Sequence, residues 1–415
     1  MGPGVAAARS PKAGLRHAID SMVAQPEFRN AHFGVLIVNP ESSDTLYSRN
    51  AGKVFMPASN QKLLTSSVSL AQLGPDFRFR TTFATRGAVR DSVLDGDLIV
   101  IGRGDPTLSD RMLGTAQIGM QRIADSLAAR GIRRVTGRLM PGGNAFPDSI
   151  YGYGWELDDI ADSGAPVDEL FFNEGMVSVP AQIAGRDSVL QTGARNPNRS
   201  YLEALGAALT ARGITFTGIT DSAADITAPP VTLFETFSVP LRDILPHFLK
   251  PSQNQIGEIL LKTIGLERGG AGIADSGAAV VKRQLLAWGA EPDGFRIYDG
   301  SGLSRHDLVS PETIVRLLAA AQREPWYQVF YDALPVAGVD GTLRSRMRNT
   351  PAAGNIHAKT GTIEYGRSLS GYVNDADGDR LIFSILCNNF TVSVDSVTRM
   401  QDAIGVMLAT YRSRR

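Results

Sequence analysis

The sequence predicts a mixed α/β protein in which one α/β unit with an antiparallel sheet is interrupted by an inserted α+β segment. A helix and two strands open the chain, and two strands followed by an amphipathic helix close it. Between residues 76 and 236 the composition shifts toward Gly, Arg and Asp, with short strands and helices. The length of 415 residues also exceeds one domain of about 150 residues, which favours two or three domains.

Hydrophobic periodicity and turn residues define the N-terminal elements. They predict a helix at Leu15–Ala24, strands at His32–Asn39 and Thr45–Arg49, and a helix from about Ser59 to Leu73. Pro57 lies just ahead of the last helix, and proline suits the beginning of a helix because its backbone is already preorganised for it. Residues 1–75 are therefore predicted to form the first part of the interrupted unit.

The inserted segment at residues 76–236 is predicted to contain repeated α–β units. Its predicted strands are Asp97–Ile101 and Arg134–Met140, and its predicted helices are about Ala116–Arg130 and Tyr201–Arg212. The two helices end in similar sequences, AARGI and TARGI, each followed by a strand-like run. Gly131 and Gly213 are predicted to cap these helices, because glycine accepts the left-handed backbone that ends a helix.

Residues 237–415 are predicted to complete the interrupted unit. Helices are predicted at Leu241–Leu249, Gln255–Leu266, Ala274–Trp288 and Pro311–Gln322, and strands at Ser368–Asn374 and Arg380–Cys387. The turn sequence DADGD joins the two strands. An amphipathic helix from about Asp395 to Tyr411 closes the chain, with Asp395 as its predicted N-cap.

Composition and charge exclude several functional classes. The 42 basic and 42 acidic residues balance, so neither nucleic acid nor an anionic membrane is predicted as the main partner. The single cysteine, Cys387, excludes an intrachain disulfide and a zinc or iron–sulfur site built from cysteines. The five histidines are scattered without paired metal-ligand spacing. No metal or organic cofactor is predicted.

The sequence leaves the cellular compartment open. No run approaches the roughly 20 apolar residues of a transmembrane helix. The N-terminal sequence MGPGVAAARSPKAG has no apolar core of roughly 7–15 residues, so no signal peptide is predicted. The alternatives are a cytoplasmic protein and an exported protein whose leader is not part of this sequence.

Three short motifs occur in an order that indicates serine-based catalysis. Ser59 to Lys62 form S-x-x-K, Ser252 to Asn254 form S-x-N, and Lys359 to Thr362 form K-T-G-T. Among the seven lysines, only Lys62 follows a serine by three positions and only Lys359 begins a K-T-G sequence. One motif alone has an ordinary structural explanation, a helix cap or a turn, but the ordered set favours chemistry.

The spacing of Ser59 and Lys62 suits a nucleophile and its base. Residues i and i+3 share one helix face, so the amine of Lys62 can reach the hydroxyl of Ser59. A serine hydroxyl needs a base to remove its proton, and a desolvated lysine can serve as that base while arginine cannot. At a helix N-terminus the backbone N–H of Ser59 can also stabilise an oxyanion.

The other two motifs are predicted to occupy positions that suit a binding cleft. Strand alternation would place Lys359 and Gly361 on one face of an edge strand, with Thr360 and Thr362 on the other. Gly361 would let a ligand approach the backbone closely. Ser252 lies in a predicted loop between two helices, where rigid neighbours can position a catalytic side chain.

With these motifs the chain resembles the class C low-molecular-mass penicillin-binding proteins, the D-Ala-D-Ala carboxypeptidase/endopeptidase family. The resemblance also rests on five blocks: GRGDPTL (102–108), GWELDD (154–159), DGSGLSR (299–305), GVDGTL (338–343) and SGY (370–372). It implies a penicilloyl-serine transferase domain, similar to β-lactamases and transpeptidases, with antiparallel sheet and helices. The inserted α+β domain would interrupt this domain, as the composition predicts.

The resemblance implies a role for each motif residue. Ser59 would be the acylated nucleophile, and Lys62 its base. Ser252 would relay a proton to the leaving amine, and Asn254 would hold the substrate amide. The strand of Lys359, Thr360, Gly361 and Thr362 would bind the substrate. Within it, Lys359 and Thr362 would bind the terminal carboxylate, and the N–H of Thr362 would complete the oxyanion hole.

Outside the motifs, the resemblance implies cleft positions for Arg305 and Thr342. It also implies that Asp159 reaches the side-chain amine of the third residue of the stem peptide. Two features depart from the family pattern. A further inserted domain is reduced to a loop or hairpin at residues 180–198, and no aromatic residue stands in the stretch Ile160–Pro166. The second departure leaves the identity of the third stem-peptide residue open.

Three acidic residues in suggestive surroundings are assigned other roles. Glu169 and Asn173 have the E-x-x-x-N spacing of the deacylating loop of class A β-lactamases, yet they precede the S-x-N motif instead of following it. Leu170–Phe172 is therefore predicted as core and Glu169 as non-catalytic. Asp105 and Asp307 are predicted to lie in turns or at the surface.

The predicted function is a serine D-Ala-D-Ala carboxypeptidase or endopeptidase that acts on peptidoglycan stem peptides through an acyl-enzyme and is acylated by β-lactams. One alternative is a β-lactamase or esterase on the same scaffold, which fast deacylation of penicillin would reveal. The other is a non-catalytic penicillin-binding module that senses wall fragments, against which the intact motifs argue. The implied substrate predicts a periplasmic or other extracytoplasmic location.

Overall fold

The structure is a computed structural model that describes residues 10–183 and 186–412. Residues 1–9 belong to the N-terminal stretch in which no signal peptide is predicted, and they lie outside the described residues. The same holds for residues 184–185, inside the predicted loop or hairpin at 180–198. In the described part of the chain, no helix is both long and apolar enough to cross a bilayer.

Strands and helices are numbered in chain order. The strands are β1 (His32–Asn39), β2 (Asp44–Arg49), β3 (Arg80–Thr85), β4 (Val89–Arg90), β5 (Val93–Leu94), β6 (Leu98–Ile101), β7 (Arg134–Val135), β8 (Leu139–Pro141), β9 (Met176–Ile183), β10 (Arg186–Gly193), β11 (Val231–Phe237), β12 (Phe295–Arg296), β13 (Leu308–Val309), β14 (His357–Ile363), β15 (Gly366–Asn374) and β16 (Arg380–Asn388). The helices are α1 (Pro11–Val23), α2 (Gln61–Leu73), α3 (Asp110–Leu113), α4 (Gln117–Ala129), α5 (Leu157–Asp162), α6 (Pro197–Ala211), α7 (Leu241–Leu249), α8 (Asn254–Ile264), α9 (Ala274–Ala287), α10 (Pro311–Ala321), α11 (Tyr327–Ala333) and α12 (Val394–Thr410). Short 3₁₀ turns lie at Pro26–Phe28, Ala58–Asn60, Asn173–Gly175 and Gly341–Leu343, and a π turn follows α8 at Gly265–Gly269.

A five-stranded antiparallel sheet joins the two ends of the chain, in the order β14-β15-β16-β1-β2. β1 pairs with β16 along its length, with Val35 opposite Ile385. β1 is an almost continuous apolar run because both faces of the sheet are covered. Helices α1 and α12 share an apolar core with one face, and α2 with the helices α7 to α11 forms the core on the other.

Strands β3 to β11 and helices α3 to α6 form a second group of elements, which we call the central unit. Its main sheet has the order β11-β3-β6-β8, with β6 and β8 parallel. Helices α4 and α6 pack around a separate apolar core that includes Phe83, Leu127 and Leu205. β9 and β10 form a two-stranded antiparallel hairpin, so the segment 180–198 contributes to this hairpin and to the beginning of α6.

The mixed α/β fold with an antiparallel sheet is confirmed. β1 and α7 have the predicted bounds, and the helices predicted around them are present with shifted ends. Gly131 and Gly213 follow α4 and α6 with φ values of 80° and 72°. This left-handed backbone is the one that a glycine adopts where a helix ends.

The segment Arg134–Met140 is not the single strand that the sequence predicts. β7 pairs with β5 in a three-stranded sheet, whereas β8 pairs with β6 in the four-stranded sheet. The chain changes sheets at Gly137, where an added Cβ would lie 2.3 Å from Oδ1 of Asp97. Alternation of apolar residues cannot reveal such a change, because both halves keep the same period.

One predicted helix beginning and one predicted helix cap are also wrong. α6 begins at Pro197 instead of Tyr201, because Oδ1 of Asn196 accepts the N–H of Arg199 at 3.0 Å and caps the helix. α12 is capped by Ser393, whose Oγ accepts the N–H of Ser396 at 3.2 Å. Asp395, the predicted cap, lies in the first turn of α12.

Candidate active site

The three motifs converge at the open edge of the five-stranded sheet. Ser59 lies in the 3₁₀ turn before α2, Ser252 in the connection between α7 and α8, and the K-T-G-T sequence forms the edge strand β14. Asn60 links the first motif to the third, because its Nδ2 donates to the carbonyl oxygen of Lys359 at 2.9 Å. The structure therefore brings the S-x-x-K, S-x-N and K-T-G-T residues into one site.

The amine of Lys62 lies among three oxygen atoms. Its Nζ is 2.8 Å from Oγ of Ser59, 2.6 Å from Oδ1 of Asn254 and 2.7 Å from the carbonyl oxygen of Ser301. The two carbonyl oxygens can only accept, so a neutral amine donates its N–H groups to them. The lone pair of the amine then faces Ser59, whose hydroxyl can donate to it.

Burial shifts Lys62 toward this neutral form. The side chain is 0% exposed, and desolvation lowers its pKa from 10.5 to about 7. Three buried carboxyl groups nearby, those of Asp299, Glu258 and Asp307, oppose the shift by favouring the ammonium form. Burial also raises the pKa of Glu258 to about 8, which weakens that opposition. Lys62 thus titrates near neutrality, where a general base is most effective.

Asn254 is oriented by the central unit. Its Nδ2 donates to the carbonyl oxygen of Ser163 at 3.1 Å, which directs its Oδ1 toward Lys62. The neighbouring Gln255 donates to the same carbonyl at 2.9 Å. The chain after α5 therefore fixes the beginning of α8, and with it one of the two carbonyl oxygens that hold the amine of Lys62.

The second carbonyl oxygen belongs to a turn built around Asp299. The carboxylate of Asp299 accepts the N–H groups of Ser301 at 3.1 Å, Gly302 at 2.6 Å and Ser304 at 2.7 Å. The indole N–H of Trp155, in the central unit, donates to the same carboxylate at 2.9 Å. The turn presents the carbonyl of Ser301 to Lys62, so both of these acceptors are fixed through contacts with the central unit.

Lys359 is the second buried lysine of the site. Its Nζ donates to Oγ of Ser252 at 2.8 Å and to the carbonyl oxygen of Thr360 at 2.9 Å. Desolvation holds the pKa of Lys359 well below 10.5, and the positive charges of Lys62 and Arg367 lower it further. Ser252 has a φ of 64°, a strained left-handed backbone that costs about 1–3 kcal/mol and is typical of functional sites.

The backbone of β14 offers a donor at the sheet edge. The N–H of Ala358 donates to the carbonyl of Pro335, away from β15. Every second N–H of an antiparallel strand points in the same direction, so the N–H of Thr362 also points away from β15. This donor lies at the open edge, beside the 3₁₀ turn that carries Ser59.

The space beside Gly361 is filled by the protein itself. An added Cβ would lie 2.1 Å from Oγ of Ser368 and 2.7 Å from the carbonyl oxygen of Pro57. Gly361 therefore does not make room for a ligand on this side of the strand, and that explanation of the glycine is wrong. Glycine is required because the turn that carries Ser59 packs directly on the backbone of β14.

Thr342 and Arg305 lie around this centre. Oγ1 of Thr360 donates to Oγ1 of Thr342 at 2.7 Å, which joins the turn Gly341–Leu343 to β14. Arg305 lies between Glu156 and Glu364, with N···O distances of 3.0 Å to each carboxylate. Arg305 therefore bridges the central unit and the turn that follows β14.

Asp159 is half-buried near the beginning of α5. Its carboxylate accepts the N–H of Glu156 at 3.3 Å and so helps to cap the helix. Carboxylate oxygens of Glu156, Asp158 and Asp159 lie within 4.8 Å of one another, and desolvation is the largest cause that raises the pKa of Asp159. Among the described residues, no hydrogen bond joins Asp159 or Arg305 to the three motifs.

The other acidic residues singled out in the sequence are buried. Asp307 ends a turn, since its N–H donates to the carbonyl of Ser304 at 3.4 Å, but at 0% exposed it does not lie at the surface, and its carboxylate accepts the N–H of Tyr298 at 2.7 Å. Asp105 does lie in a turn, where it accepts the N–H of Thr107 at 2.9 Å, but it is buried as well. Glu169 packs in the central unit and accepts from Nδ2 of Asn198 at 2.9 Å.

Sequence reasoning missed Asn60, Trp155 and Asp299 as residues of the site. Trp155 and Asp299 stand in two of the blocks that carry the family resemblance, which is the signal that could have found them. Their hydrogen bond joins residues 144 positions apart. No periodicity or spacing rule connects such distant residues, so their contact requires the folded structure.

Known proteins share this sequence pattern. The D-Ala-D-Ala carboxypeptidase 3 (S13) family matches residues 15–197 and 184–411. A D-alanyl-D-alanine carboxypeptidase of Actinomadura sp. (strain R39) is 34% identical over 467 residues, covering 96% of this chain and 85% of that protein.

Solved structures share the fold. Penicillin binding protein 4 from Haemophilus influenzae superimposes with a TM-score of 0.80 at 22% identity, over 95% of this chain and 99% of that chain. The same protein in complex with a β-lactam superimposes with a TM-score of 0.77, at the same identity and coverage. The family match over most of the chain and the 34% identical relative decide the assignment. The chain belongs to the D-Ala-D-Ala carboxypeptidase (S13) family.

Proposed function

We propose that this protein is a serine D-Ala-D-Ala carboxypeptidase or endopeptidase that cleaves peptidoglycan stem peptides through an acyl-enzyme. The observation that carries the proposal is the buried amine of Lys62, fixed by two carbonyl oxygens and 2.8 Å from Oγ of Ser59. Family membership supports the reaction class. β-Lactams would acylate the same serine, because they present a strained amide to the same nucleophile and oxyanion site.

In acylation, Oγ of Ser59 attacks the carbonyl carbon of the penultimate D-Ala, and its proton passes to Nζ of Lys62. The N–H groups of Ser59 and Thr362 stabilise the oxyanion that forms. When the C–N bond breaks, the leaving amine takes a proton from the hydroxyl of Ser252, and Ser252 takes the proton that Lys62 removed from Ser59, so Lys62 becomes neutral again. Lys359 holds Ser252 in place through its hydrogen bond. Water then attacks the ester carbon and gives a proton to Lys62, which returns it to Oγ of Ser59 as the ester bond to Ser59 breaks.

The substrate would lie along the edge strand β14. Lys359 and Thr362 would bind its terminal carboxylate, with Thr360 and Gly361 lining the strand. The amide nitrogen of Asn254 carries two protons, of which one is donated to Ser163. The second proton is available for the backbone carbonyl of the substrate. Asn254 can therefore hold both the base and the substrate.

The third residue of the stem peptide would lie beside the central unit. We assign its side-chain ammonium to Asp159, because the carboxylates of Glu156 and Asp158 add negative charge within 4.8 Å. Arg305 and Thr342 would line the same cleft. The stretch Ile160–Pro166 lacks an aromatic residue that could exclude water from the ion pair. We therefore expect a modest preference for a cationic third residue.

The packing supports a division into two domains. Residues 1–75 and 237–415 would form the transpeptidase-like catalytic domain, and residues 76–236 the inserted α+β domain, which is consistent with their separate cores. The further domain of the family would be reduced to the region 180–198. The alignment with the Actinomadura relative spans 467 positions, more than the 415 residues of this chain. The relative therefore contains segments that this chain lacks, which supports such a reduction. The proposed substrate places the protein outside the cytoplasmic membrane.

Release of D-alanine from a peptide ending in D-Ala-D-Ala tests the proposal. The wild type should release free D-alanine, and Ser59→Ala should release none while keeping its fold by circular dichroism. Turnover of penicillin that is faster than peptide cleavage would instead indicate a β-lactamase. A stable penicillin adduct without any D-alanine release would indicate a non-catalytic binding module.

A further inference from the structure

Arg367 lies opposite Thr362 on the neighbouring strand. The two residues are direct partners in the antiparallel pairing of β14 and β15, so their side chains point to the same face of the sheet. Nη1 of Arg367 donates to Oγ1 of Thr362. Thr362 is exposed, whereas Arg367 is half-buried. The guanidinium of Arg367 therefore contacts the hydroxyl of Thr362 near the end of β14, the strand proposed to bind the substrate.

Within the described part of the chain, Arg367 forms no ion pair with a carboxylate. Desolvation and the charge of Arg346 lower its pKa to about 10, and the charges of Asp402 and Asp395 offset these effects only in part. The carboxylate on the same side, that of Asp402, is already 2.7 Å from Nη2 of Arg346. Nε of Arg367 is buried without a hydrogen-bond partner. A half-buried cation that is not directly paired with a carboxylate is costly, so a carboxylate from outside the chain would be favoured there.

The hydrogen bond also sets the direction of the Thr362 hydroxyl. A guanidinium can only donate, so Oγ1 of Thr362 must accept from it. The single proton of that hydroxyl is then free to donate outward, toward an acceptor at the strand edge. Lys359 alone does not account for the positive charge at the strand edge, because its buried amine also donates to Ser252 and to the carbonyl of Thr360.

We propose that Arg367 is a specificity-determining residue that acts through Thr362, supplying positive charge and a fixed hydroxyl donor for the terminal carboxylate of the substrate. The inference rests on the proposed function, since it assigns a carboxylate to the edge of β14. It adds a residue outside the three motifs and a reason for the conformation of Thr362. Arg367 is a positioning residue in this role, because the contact with substrate is made by the threonine.

Two substrates with the same acyl group test the proposal. One is an N-acyl-D-Ala-D-Ala peptide, and the other is the thioester of the same N-acyl-D-alanine with a neutral thiol, whose leaving group has no carboxylate. We expect Arg367→Met to lower kcat/KM about tenfold on the peptide and to leave the thioester unchanged. Arg367→Gln, which is also uncharged, should behave in the same way and replaces Met if that variant does not fold.

Arg399 provides the matched control. It is an exposed arginine on α12, where it donates to Ser396, and Arg399→Met should change neither substrate. An equal loss on peptide and thioester would overturn the proposal, because it would show a structural role for Arg367. Unchanged rates on both substrates would overturn it as well. A wild type that neither cleaves the peptide nor forms an adduct with penicillin would instead refute the proposed function.

Discussion

Lys62 shows how burial and hydrogen bonding combine to make a base. Desolvation lowers its pKa to about 7, and two carbonyl acceptors direct its lone pair toward Ser59. Either effect alone would be insufficient, because a charged amine has no lone pair and an unoriented amine would not face the hydroxyl. The reactivity of Ser59 therefore depends on the surroundings of its neighbour as much as on its own position.

This account of Lys62 makes the acylation rate depend on pH. A base must be neutral, so the rate of acylation by benzylpenicillin should rise with pH through about 7 and level off above it. Lys62→Arg should lower the rate on the order of 10³-fold, because arginine stays protonated. The exposed Lys282 is the control, and Lys282→Arg should have no effect. A rate independent of pH, or near wild-type labelling of Lys62→Arg, would refute the assignment of the base.

Asp159 can be tested with peptides that differ in one charge. Asp159→Asn keeps an oxygen that can accept the N–H of Glu156, so the cap of α5 is preserved while the charge is lost. A charge-assisted hydrogen bond contributes about 1.5–3 kcal/mol, and the wet site favours the low end, roughly tenfold in kcat/KM. The loss should appear with a free ammonium on the third residue and vanish when that amine is acetylated.

The neighbouring carboxylate supplies the control for this comparison. Asp158 is exposed and adjacent, and Asp158→Asn should change kcat/KM less than Asp159→Asn does. If Asp159→Asn slows the free and the acetylated peptide equally, then Asp159 is a structural helix cap and does not recognise the substrate.

At the scale of elements, hydrophobic periodicity predicted the strands and helices whose burial follows a regular pattern. β1 is apolar along its length because both of its sides are buried, and α7 is apolar on the one face that is buried. The predicted bounds of both elements agree with the structure. The two-residue strands β4, β5, β12 and β13 were missed, because two residues cannot show alternation. The three motifs could be located from residue types alone, whereas the roles of Trp155 and Asn60 depend on contacts between distant segments.

The beginning of α12 gives a test at this scale. Ser393 accepts the N–H of Ser396, whereas Asp395 is the second residue of the helix, in its first turn. Ser393→Ala should lower the free energy of unfolding by about 1 kcal/mol through loss of the cap. Asp395→Ala should cost only about 0.3 kcal/mol through the helix dipole. Urea unfolding of both variants measures the two losses. A larger loss for Asp395→Ala than for Ser393→Ala would show that Asp395 is the cap, as the sequence predicted.

At the scale of the whole molecule, contacts with the central unit hold the groups that position the amine of Lys62. Ser163 orients Asn254, and Trp155 donates to the carboxylate of Asp299, whose turn presents the carbonyl of Ser301. The acceptors that hold Lys62 are therefore positioned by elements of the central unit, which do not belong to the five-stranded sheet. Separation of the central unit from the rest of the chain should therefore weaken catalysis itself.

Trp155→Phe isolates one of these contacts. It keeps most of the aromatic surface but removes the N–H donor to Asp299, so acylation by benzylpenicillin should slow about tenfold. Trp288→Phe is the control, because Trp288 packs against Trp326 in the apolar core that α2 and α7 to α11 form on the five-stranded sheet. Stopped-flow labelling and thermal unfolding should separate the effects. Equal slowing by both variants would mean that the central unit does not act through this contact.

The most direct test of the central claim is mass spectrometry of the intact protein after reaction with benzylpenicillin. We expect one adduct with the mass of one benzylpenicillin, located by peptide mapping on Ser59, and persisting far longer than it takes to form. Ser59→Ala should remain unmodified under the same conditions. An adduct on another residue, or the absence of any adduct on the folded wild type, would contradict the assignment of Ser59 and Lys62 as nucleophile and base.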